Sequence, residues 1–478
     1  MSEPRSLPST VDYSRVLPLA VESRSRRRTF FPNNGQNFSS DGNNIIRIDV
    51  SASAFLDPKH SYLRFNWTNN TGQTCGLDFG GGHGFIRRLR IEQAGNVLSD
   101  CQNYNKLMSA IILPSQGGVD NLAHRSVTEG VRFCNDGGVG NSNITAPNGE
   151  VSGCITNGAT NSDVQIPAIA LGVGGTSYTF TIPLLNGLLG TTQSKMVPLQ
   201  LLGSSPLTIE IELAPALDIG VYAAGIGAAG YDVSDIRYVA SLIEVGPEVD
   251  AQLRMVQEAS GGRLVLNGVD YTHFAGNIAA NSVGPQVINV PARRKSLKSL
   301  FFVGSSQQYG GAQSTMYNLS HGGNFNMNEY HMKIGSMVHP PTPIQANLST
   351  AVLATTGRSE AFSELAKCWG TLGSINGTGI LSRTNYATLN CNVASIPQPG
   401  APGAAMNTHR FAPFGIDLES WSRGVNLESG VNTADRSLPI SLIVNIGVAA
   451  VEAINVDCYV SFDSLYYIDS VGNISVSL

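Results

Sequence analysis

The sequence contains few charged residues: Asp, Glu, Lys and Arg make up 14% of its 478 residues, against roughly 25% in a typical soluble protein. Aromatic residues account for 7% and do not alternate with Lys or Arg, so no stacking platform for single-stranded nucleic acid is predicted. The net charge of −5 argues against a protein that coats nucleic acid over its whole surface. Because charged groups covered by protein must lose their water, a surface poor in charge favours extensive contact with other protein chains.

Cysteine is also sparse, and its spacing excludes two common roles. No two of the seven cysteines form a CxxC pair, and they are scattered over the chain at Cys75, Cys101, Cys134, Cys154, Cys368, Cys391 and Cys458. An odd number at irregular spacing does not form a disulfide framework, so a reducing compartment is expected. No apolar stretch follows a basic start, so no secretory signal is predicted. No run of about 20 apolar residues is present, so no membrane-spanning segment is predicted either.

Motifs that carry chemistry are missing as well. The sequence has no P-loop, no HExxH, no GxSxG and no zinc-type spacing of Cys and His. Ser359 lies in a Gly-Arg-Ser-Glu-Ala stretch that departs from a nucleophile elbow and opens a helix-like segment without a preceding strand. His321, His331 and His339 lack HxH spacing and carboxylate support, so we interpret them as structural or surface histidines. The sequence therefore predicts no catalytic residue, no cofactor, no metal site and no enzymatic activity.

What is abundant points to β-structure: the 52 glycines and 23 prolines indicate many turns. Apolar residues alternate with polar ones in 46–50, in 63–67 and most clearly in Leu207–Leu213. Period-two alternation predicts strands with one buried face and one wet face. On that interpretation Glu210 and Glu212 share the wet face as solvated residues. A sandwich-fold glycosidase would instead need paired carboxylates in a cleft.

Helical patterns are few and short, in 103–112, Pro247–Ala259 and 358–369. Each is expected to pack against a sheet. Stretches rich in Gly or Pro at 134–177, 304–325 and 396–406 predict long loops, which usually carry function or assembly contacts.

The two halves of the chain repeat one order of strand patterns. Residues 206–213 and 439–446 both begin with Pro and then place apolar residues at the next, third, fifth and seventh positions. Residues 235–239 have a counterpart at 457–460, and residues 45–65 have a looser one at 287–303. The common order predicts a tandem duplication and an all-β fold of two eight-stranded antiparallel jelly rolls with short helices and long loops. The predicted divisions are a basic N-terminal arm (1–29), a first jelly roll (30–246), a connector helix (247–262) and a second jelly roll (263–478).

The predicted arm carries a cluster of arginines, Arg24, Arg26, Arg27 and Arg28. One interpretation is a solvated, flexible arm. A second is contact with packaged nucleic acid or with a partner on the inner face of a shell, and a third is a targeting signal.

Several segments resemble the double jelly-roll major capsid proteins of tailless icosahedral double-stranded DNA viruses, in the branch of Polinton-like viruses and virophages. The resemblance rests on the order of the segments 95–108, 182–213, 330–335, 340–344 and 359–369. It implies a homotrimer that forms a pseudo-hexagonal capsomer and contacts neighbouring capsomers, penton proteins and minor capsid proteins. It also implies a place in the virion capsid, assembled inside the host cell, and no catalytic residues.

Two other structural functions remain open on the sequence alone. A tandem β-sandwich lectin or adhesin would need an aromatic platform or a calcium cage, and no DxDxDG-type cluster is present. A minor capsid or penton protein is the nearest alternative within viruses. Pentons of this group usually have a single roll, so the duplication favours the major protein.

Overall fold

The structure is a computed structural model that describes most of the chain. The described residues are 22–70, 75–116, 125, 127–130, 165–166, 177–190, 195–203, 205–222, 230–306, 319–320, 322–346, 356–372, 381, 386, 411–420, 429–435, 437–449 and 453–477. The predicted loop 396–406 and most of 134–177 and 304–325 lie outside these residues.

The first half of the described chain folds into two facing antiparallel sheets. Its strands are β1 (Ser23–Phe30), β2 (Asn37–Ser39), β3 (Ile45–Val50), β4 (Phe55–Asn69), β5 (Cys75–Leu77), β6 (Ile86–Gln93), β7 (Asn96–Gln102), β8 (Gln165–Ile166), β9 (Ser177–Ile182), β10 (Val197–Pro198), β11 (Leu207–Leu213), β12 (Gly220–Tyr222) and β13 (Tyr231–Val245). One sheet has the order β1-β13-β4, with β9 and β10 both paired to β4 and β2 paired to β13. The other has the order β3-β11-β6-β7, and β12-β5-β8 form a small third sheet.

The second half repeats this arrangement. Its strands are β14 (Arg263–Ile278), β15 (Gly284–Asn289), β16 (Leu297–Ser306), β17 (Met327–Ile334), β18 (Met337–Gln345), β19 (Pro413–Asp417), β20 (Ile440–Ile446), β21 (Ile454–Asp469) and β22 (Ile474–Ser477). One sheet has the order β14-β21-β16-β19, with β22 on β21, and the other β15-β20-β17-β18. With the small strands set aside, both halves pair their strands as first-eighth-third-sixth and second-seventh-fourth-fifth. The prediction of two tandem jelly rolls is therefore confirmed.

The three sequence pairs that suggested a duplication occupy equivalent places. Residues 207–213 and 440–446 are β11 and β20, the seventh principal strand of each roll. Residues 235–239 and 457–460 lie in β13 and β21, the eighth strands, and the looser pair covers the second and third strands. Equivalent positions in two sheets impose the same alternation of buried and exposed faces, which explains why the patterns match.

Short helices connect and cover the sheets. They are Tyr104–Lys106, which continues through a π-helical turn (Leu107–Ile112) into Leu113–Gln116, then Ala216–Ile219, Pro247–Ala259 and Thr356–Trp369, with 3₁₀ turns at Gly81–Phe85 and Leu199–Leu201. The connector helix (Pro247–Ala259) links β13 to β14. Proline at its first turn and two acidic residues after it suit a helix start, because the first amides need no partners and the dipole favours negative charge.

Each roll encloses an aromatic core between its two sheets. In the first roll, Trp67 is fully buried, and its ring centroid lies 5.3 Å from that of Phe85 and 6.4 Å from that of Tyr231. In the second, the Phe302 ring lies 5.1 Å from the rings of Tyr330 and Phe414. Burying each such side chain contributes about 2–3 kcal/mol, so these clusters stabilise the packing of the two sheets in each roll.

The N-terminal arm needs a correction. Residues 23–29 are not a free arm, because they form most of β1, which pairs residue by residue with β13 from Ser23–Val245 to Phe30–Tyr238. Pairing with β13 along its whole length satisfies the backbone groups on one side of this edge strand, and this outweighs the polar composition. Residues 1–21 lie outside the described residues.

Candidate functional site: the seam and the outer faces

The two rolls meet where β7, an edge strand of the first, packs beside β14, an edge strand of the second. We call this junction the seam; it consists of β7, the segment 103–106 and the turn 186–187 against β14, β21 and the turn 469–473. An edge strand exposes unpaired backbone groups, and covering two edges with each other removes them from water. The seam therefore decides how the rolls are oriented.

A charged cluster lies at one end of the seam. The ammonium group of Lys106 forms an ion pair with Asp457 and also donates to Ser305 Oγ at 3.1 Å. The other carboxylate oxygen of Asp457 lies 2.7 Å from His273 Nε2. The side chains of Lys106 and Asp457 are each 12% exposed. Burial alone would raise the pKa of Asp457, but Lys106 and His273 hold it well below its usual value, so the carboxylate stays ionised.

In the middle of the seam lies a second carboxyl group, that of Asp270, which forms no ion pair among the described residues. Asp270 on β14 is buried and accepts hydrogen bonds from Ser99 Oγ of β7 at 2.9 Å and from Tyr466 OH of β21 at 2.5 Å. Asn186 donates to the same Ser99 hydroxyl and accepts from the Tyr271 amide at 3.3 Å. Burial raises the pKa of Asp270 against the hydrogen bonds from Tyr466 and Ser99.

Side chains that bond to backbone close the far end of the seam. Gln93 Nε2 donates to Gly472 O at 2.9 Å, and its Oε1 accepts from the Ile474 amide at 2.7 Å. Gln257 of the connector helix donates to Ile468 O at 3.2 Å. These bonds satisfy buried polar groups in both rolls, so separating the rolls would leave each of them unpaired.

A second contact between the rolls uses Asp78, which is fully buried. Its carboxylate accepts from the backbone amides of Leu319 and Ser320 at 3.0 and 3.4 Å. Beside it, the Phe79 and Phe411 rings lie 4.9 Å apart. This contact holds residues 319–320 of the second roll against the first roll.

Several ion pairs lie on the outer face of the sheet β3-β11-β6-β7. The prediction that Glu210 is solvated is wrong. Its side chain is 10% exposed, and its carboxylate lies 2.8 Å from Arg47 and 3.6 Å from Arg90. Glu212 lies on the same face, is more exposed and is 3.7 Å from Arg87. Long arginine side chains from the neighbouring strands cover the carboxylate, which alternation within one strand does not predict.

The equivalent sheet of the second roll, β15-β20-β17-β18, differs. Its outer face carries Val287, which is 64% exposed, opposite Ile443, with His331 on the next strand. No ion pair forms on this face among the described residues. The edge strand β18 contains three prolines, which deny amide donors to an approaching strand.

The structure places all four arginines of the predicted contact site on β1, namely Arg24, Arg26, Arg27 and Arg28. Arg26 pairs with Glu244 at 2.9 Å, and Arg28 donates to Ser51 O at 3.2 Å. The guanidinium carbon of Arg27 lies 5.8 Å from the centre of the Tyr62 ring. Residues 23–28 are exposed on both faces of the strand.

The remaining candidates lie on three different elements. Ser359 lies in a helix, and His331 and His339 lie on β17 and β18; His321 lies outside the described residues. In the described part of the chain, no three His, Cys, Asp or Glu side chains are placed to hold a metal ion. Nor does any helix of these residues have the length and apolar character of a bilayer-spanning helix.

Sequence reasoning missed the seam residues. The available signal was an acid within an otherwise apolar strand, as for Asp457 in β21, or Asp270 between Val269 and Tyr271. Such a residue is expensive to bury without partners, so it marks a polar contact, but the sequence does not say with what.

No family model and no curated protein matches this sequence. Solved structures match it closely in fold. Vp54 of the virus PBCV-1, fitted into a cryo-EM reconstruction of the virophage Sputnik, has a TM-score of 0.59 at 11% identity over 98% of this chain and 99% of that one. The Faustovirus major capsid protein has a TM-score of 0.57 at 8% identity over 95% and 92%. A chain of the Sputnik virophage structure has 0.53 at 11% identity over 100% and 93%. This chain therefore has the double jelly-roll fold of these capsid proteins.

Proposed function

We propose that this chain is the structural major capsid protein of an icosahedral virus and that three copies form a pseudo-hexagonal capsomer. The observation that carries the proposal is one strand order found twice, in rolls held at a fixed orientation by the seam. Two equivalent rolls per chain give a trimer six similar contacts, while each roll remains free to diverge. The fold likeness to viral capsid proteins over nearly the whole chain supports the same function.

The outer faces support assembly from like chains. The exposed side chain of Val287, opposite Ile443, and the chain's low content of charged residues both reduce the cost of covering the surface with protein. We propose contacts with neighbouring capsomers, penton proteins and minor capsid proteins on such flanks. The location is then the virion capsid, and the chain has a structural and not an enzymatic role.

The proposed division of the chain has a first roll that begins with β1 at Ser23 and runs to 246, a connector at 247–262 and a second roll at 263–478. For the arginines of β1, we propose contact with packaged nucleic acid or with an inner-face partner. Their exposure on both faces of an edge strand supports this, because the guanidinium groups can reach an anionic surface.

Negative-stain electron microscopy and light scattering on the purified chain test the proposal. We expect hexagonal particles with a mass three times the 50.6 kDa of the chain. A species that remains monomeric at micromolar concentration would contradict a major capsid role. Val287→Asp should weaken the assembly, whereas the matched change Val127→Asp, at an exposed position of the first roll, should leave the mass unchanged.

If the chain were a minor capsid or penton protein, it would be scarce in purified particles, whereas the major protein is the most abundant chain. A lectin or adhesin would bind glycans on an array, and we expect none to bind.

A further inference from the structure

The seam contains two buried carboxyl groups with opposite surroundings. Asp457 forms an ion pair with Lys106 and lies against the imidazole of His273. Asp270 accepts from the hydroxyl groups of Ser99 and Tyr466, with the Ser464 hydroxyl beside it, and no Lys, Arg or His nitrogen of the described residues forms an ion pair with it. A hydroxyl group can donate to a carboxylate and equally accept from a carboxylic acid, so the contacts of Asp270 accommodate a proton.

The other groups near Asp270 do not neutralise it. The guanidinium of Arg294 attracts the Asp270 carboxylate but forms no ion pair with it; Arg294 donates to Thr272 Oγ1 at 3.1 Å and lies over the Phe462 ring at 4.2 Å. From β7 the thiol of Cys101 faces the site, and burial raises the pKa of that thiol, so it stays protonated. Tyr271, the neighbour of Asp270 on β14, is kept protonated in the same way.

We propose that the seam is a pH-sensitive joint with Asp270 as its sensing group: the rolls hold together more tightly at about pH 5 than at about pH 7.5. A charge on Asp270 would stand between β7, β14 and the turn 186–187 with no cation in contact. The seam must then either tolerate that charge or open to admit water. This inference depends on the seam alone and not on the proposed capsid function.

The direction follows from proton linkage. Burial raises the pKa of Asp270 above its ordinary value of 3.8. The stability that Asp270 contributes is therefore fully present below that ordinary value and is lost as pH rises through the raised pKa. Asp457 behaves in the opposite way, because its pKa is lowered. Its contribution is present above 3.8 and is lost only as pH falls through the lowered pKa.

The test compares melting temperatures of the full chain and of Asp270→Asn at these two pH values. Asparagine has nearly the shape of the protonated acid and cannot ionise. We expect the melting temperature of the variant, relative to the unaltered chain, to rise by roughly 1–2 °C on going from about pH 5 to about pH 7.5. Gln93→Leu is the matched control: it removes a buried contact between the rolls that involves no ionisable group, so its loss of melting temperature should be the same at both values.

Hydrogen exchange locates the effect. In the unaltered chain, amides of β7 and β14 should lose protection at the higher pH after correction for intrinsic exchange, and in Asp270→Asn they should not. If Asp270→Asn does not fold, Tyr466→Phe replaces it: removing a donor to the anion should move the loss of stability to higher pH. The proposal would be overturned if the difference in melting temperature between Asp270→Asn and the unaltered chain did not change with pH. It would also be overturned if the variant became less stable, relative to the unaltered chain, at the higher pH.

Discussion

Replacing Lys106 by methionine should destabilise the protein by about 3 kcal/mol, because it leaves the buried Asp457 carboxylate without its ion pair. Both side chains of the pair are 12% exposed, so solvent screens their attraction weakly. Removing one partner of a buried ion pair costs about 3–5 kcal/mol. His273, 2.7 Å from the other carboxylate oxygen, retains part of the stabilisation, which places the estimate at the lower end. Methionine keeps the length of the side chain, so little packing is lost.

The assay is urea unfolding followed by circular dichroism, together with a double-mutant cycle that adds Asp457→Asn. If the ion pair carries the effect, the two substitutions together should cost less than their sum by about 2 kcal/mol. The matched control is Lys367→Met, since Lys367 pairs with Glu364 on an exposed helix at 2.5 Å with its own side chain 44% exposed. An exposed pair of this kind contributes less than about 1 kcal/mol. A cost for Lys106→Met no larger than that of the control, or additive costs in the cycle, would refute the reasoning.

Three further substitutions test other parts of the fold. Glu210→Gln should cost about 1 kcal/mol in urea unfolding because Arg47 and Arg90 lose their shared partner, whereas Glu212→Gln on the same face should cost less than about 0.5 kcal/mol; equal costs would contradict the difference in burial. Gly187→Ala should lower the melting temperature by several degrees, since Gly187 has φ +58° and a β-carbon there would lie 2.8 Å from Ser99 Cβ; an unchanged melting curve would show that the turn adapts. Trp67→Ala should cost about 4 kcal/mol in urea unfolding; an unshifted transition would contradict its place in the core.

Local patterns in the sequence predicted most of the architecture. The alternation in Leu207–Leu213 and in 440–446 reflects which face of the strand meets the core. Each residue's apolar or polar character indicates its face, so the sequence predicts the strand directly. The connector helix was predicted with the bounds Pro247–Ala259 because proline and acidic residues at its start act within one turn. The duplication followed from the same signals, since equivalent strands require equivalent patterns.

Contacts between distant residues could not be predicted in this way. The Arg-rich segment 23–28 looks like a solvated arm, and only the presence of β13 beside it turns it into a strand. Glu210 looks solvated within its own strand, and it is the arginines of two neighbouring strands that cover it.

The sequence by itself determined the all-β class, the tandem repeat and the poverty of ionic surface, because each of these is a property of composition or of neighbours along the chain. Only the tertiary structure decided where the two rolls touch. Lys106 and Asp457 lie 351 residues apart, and the free energy of their contact depends on burial that no local pattern encodes. The orientation of the rolls, and with it the environment of Asp270, comes from this long-range packing.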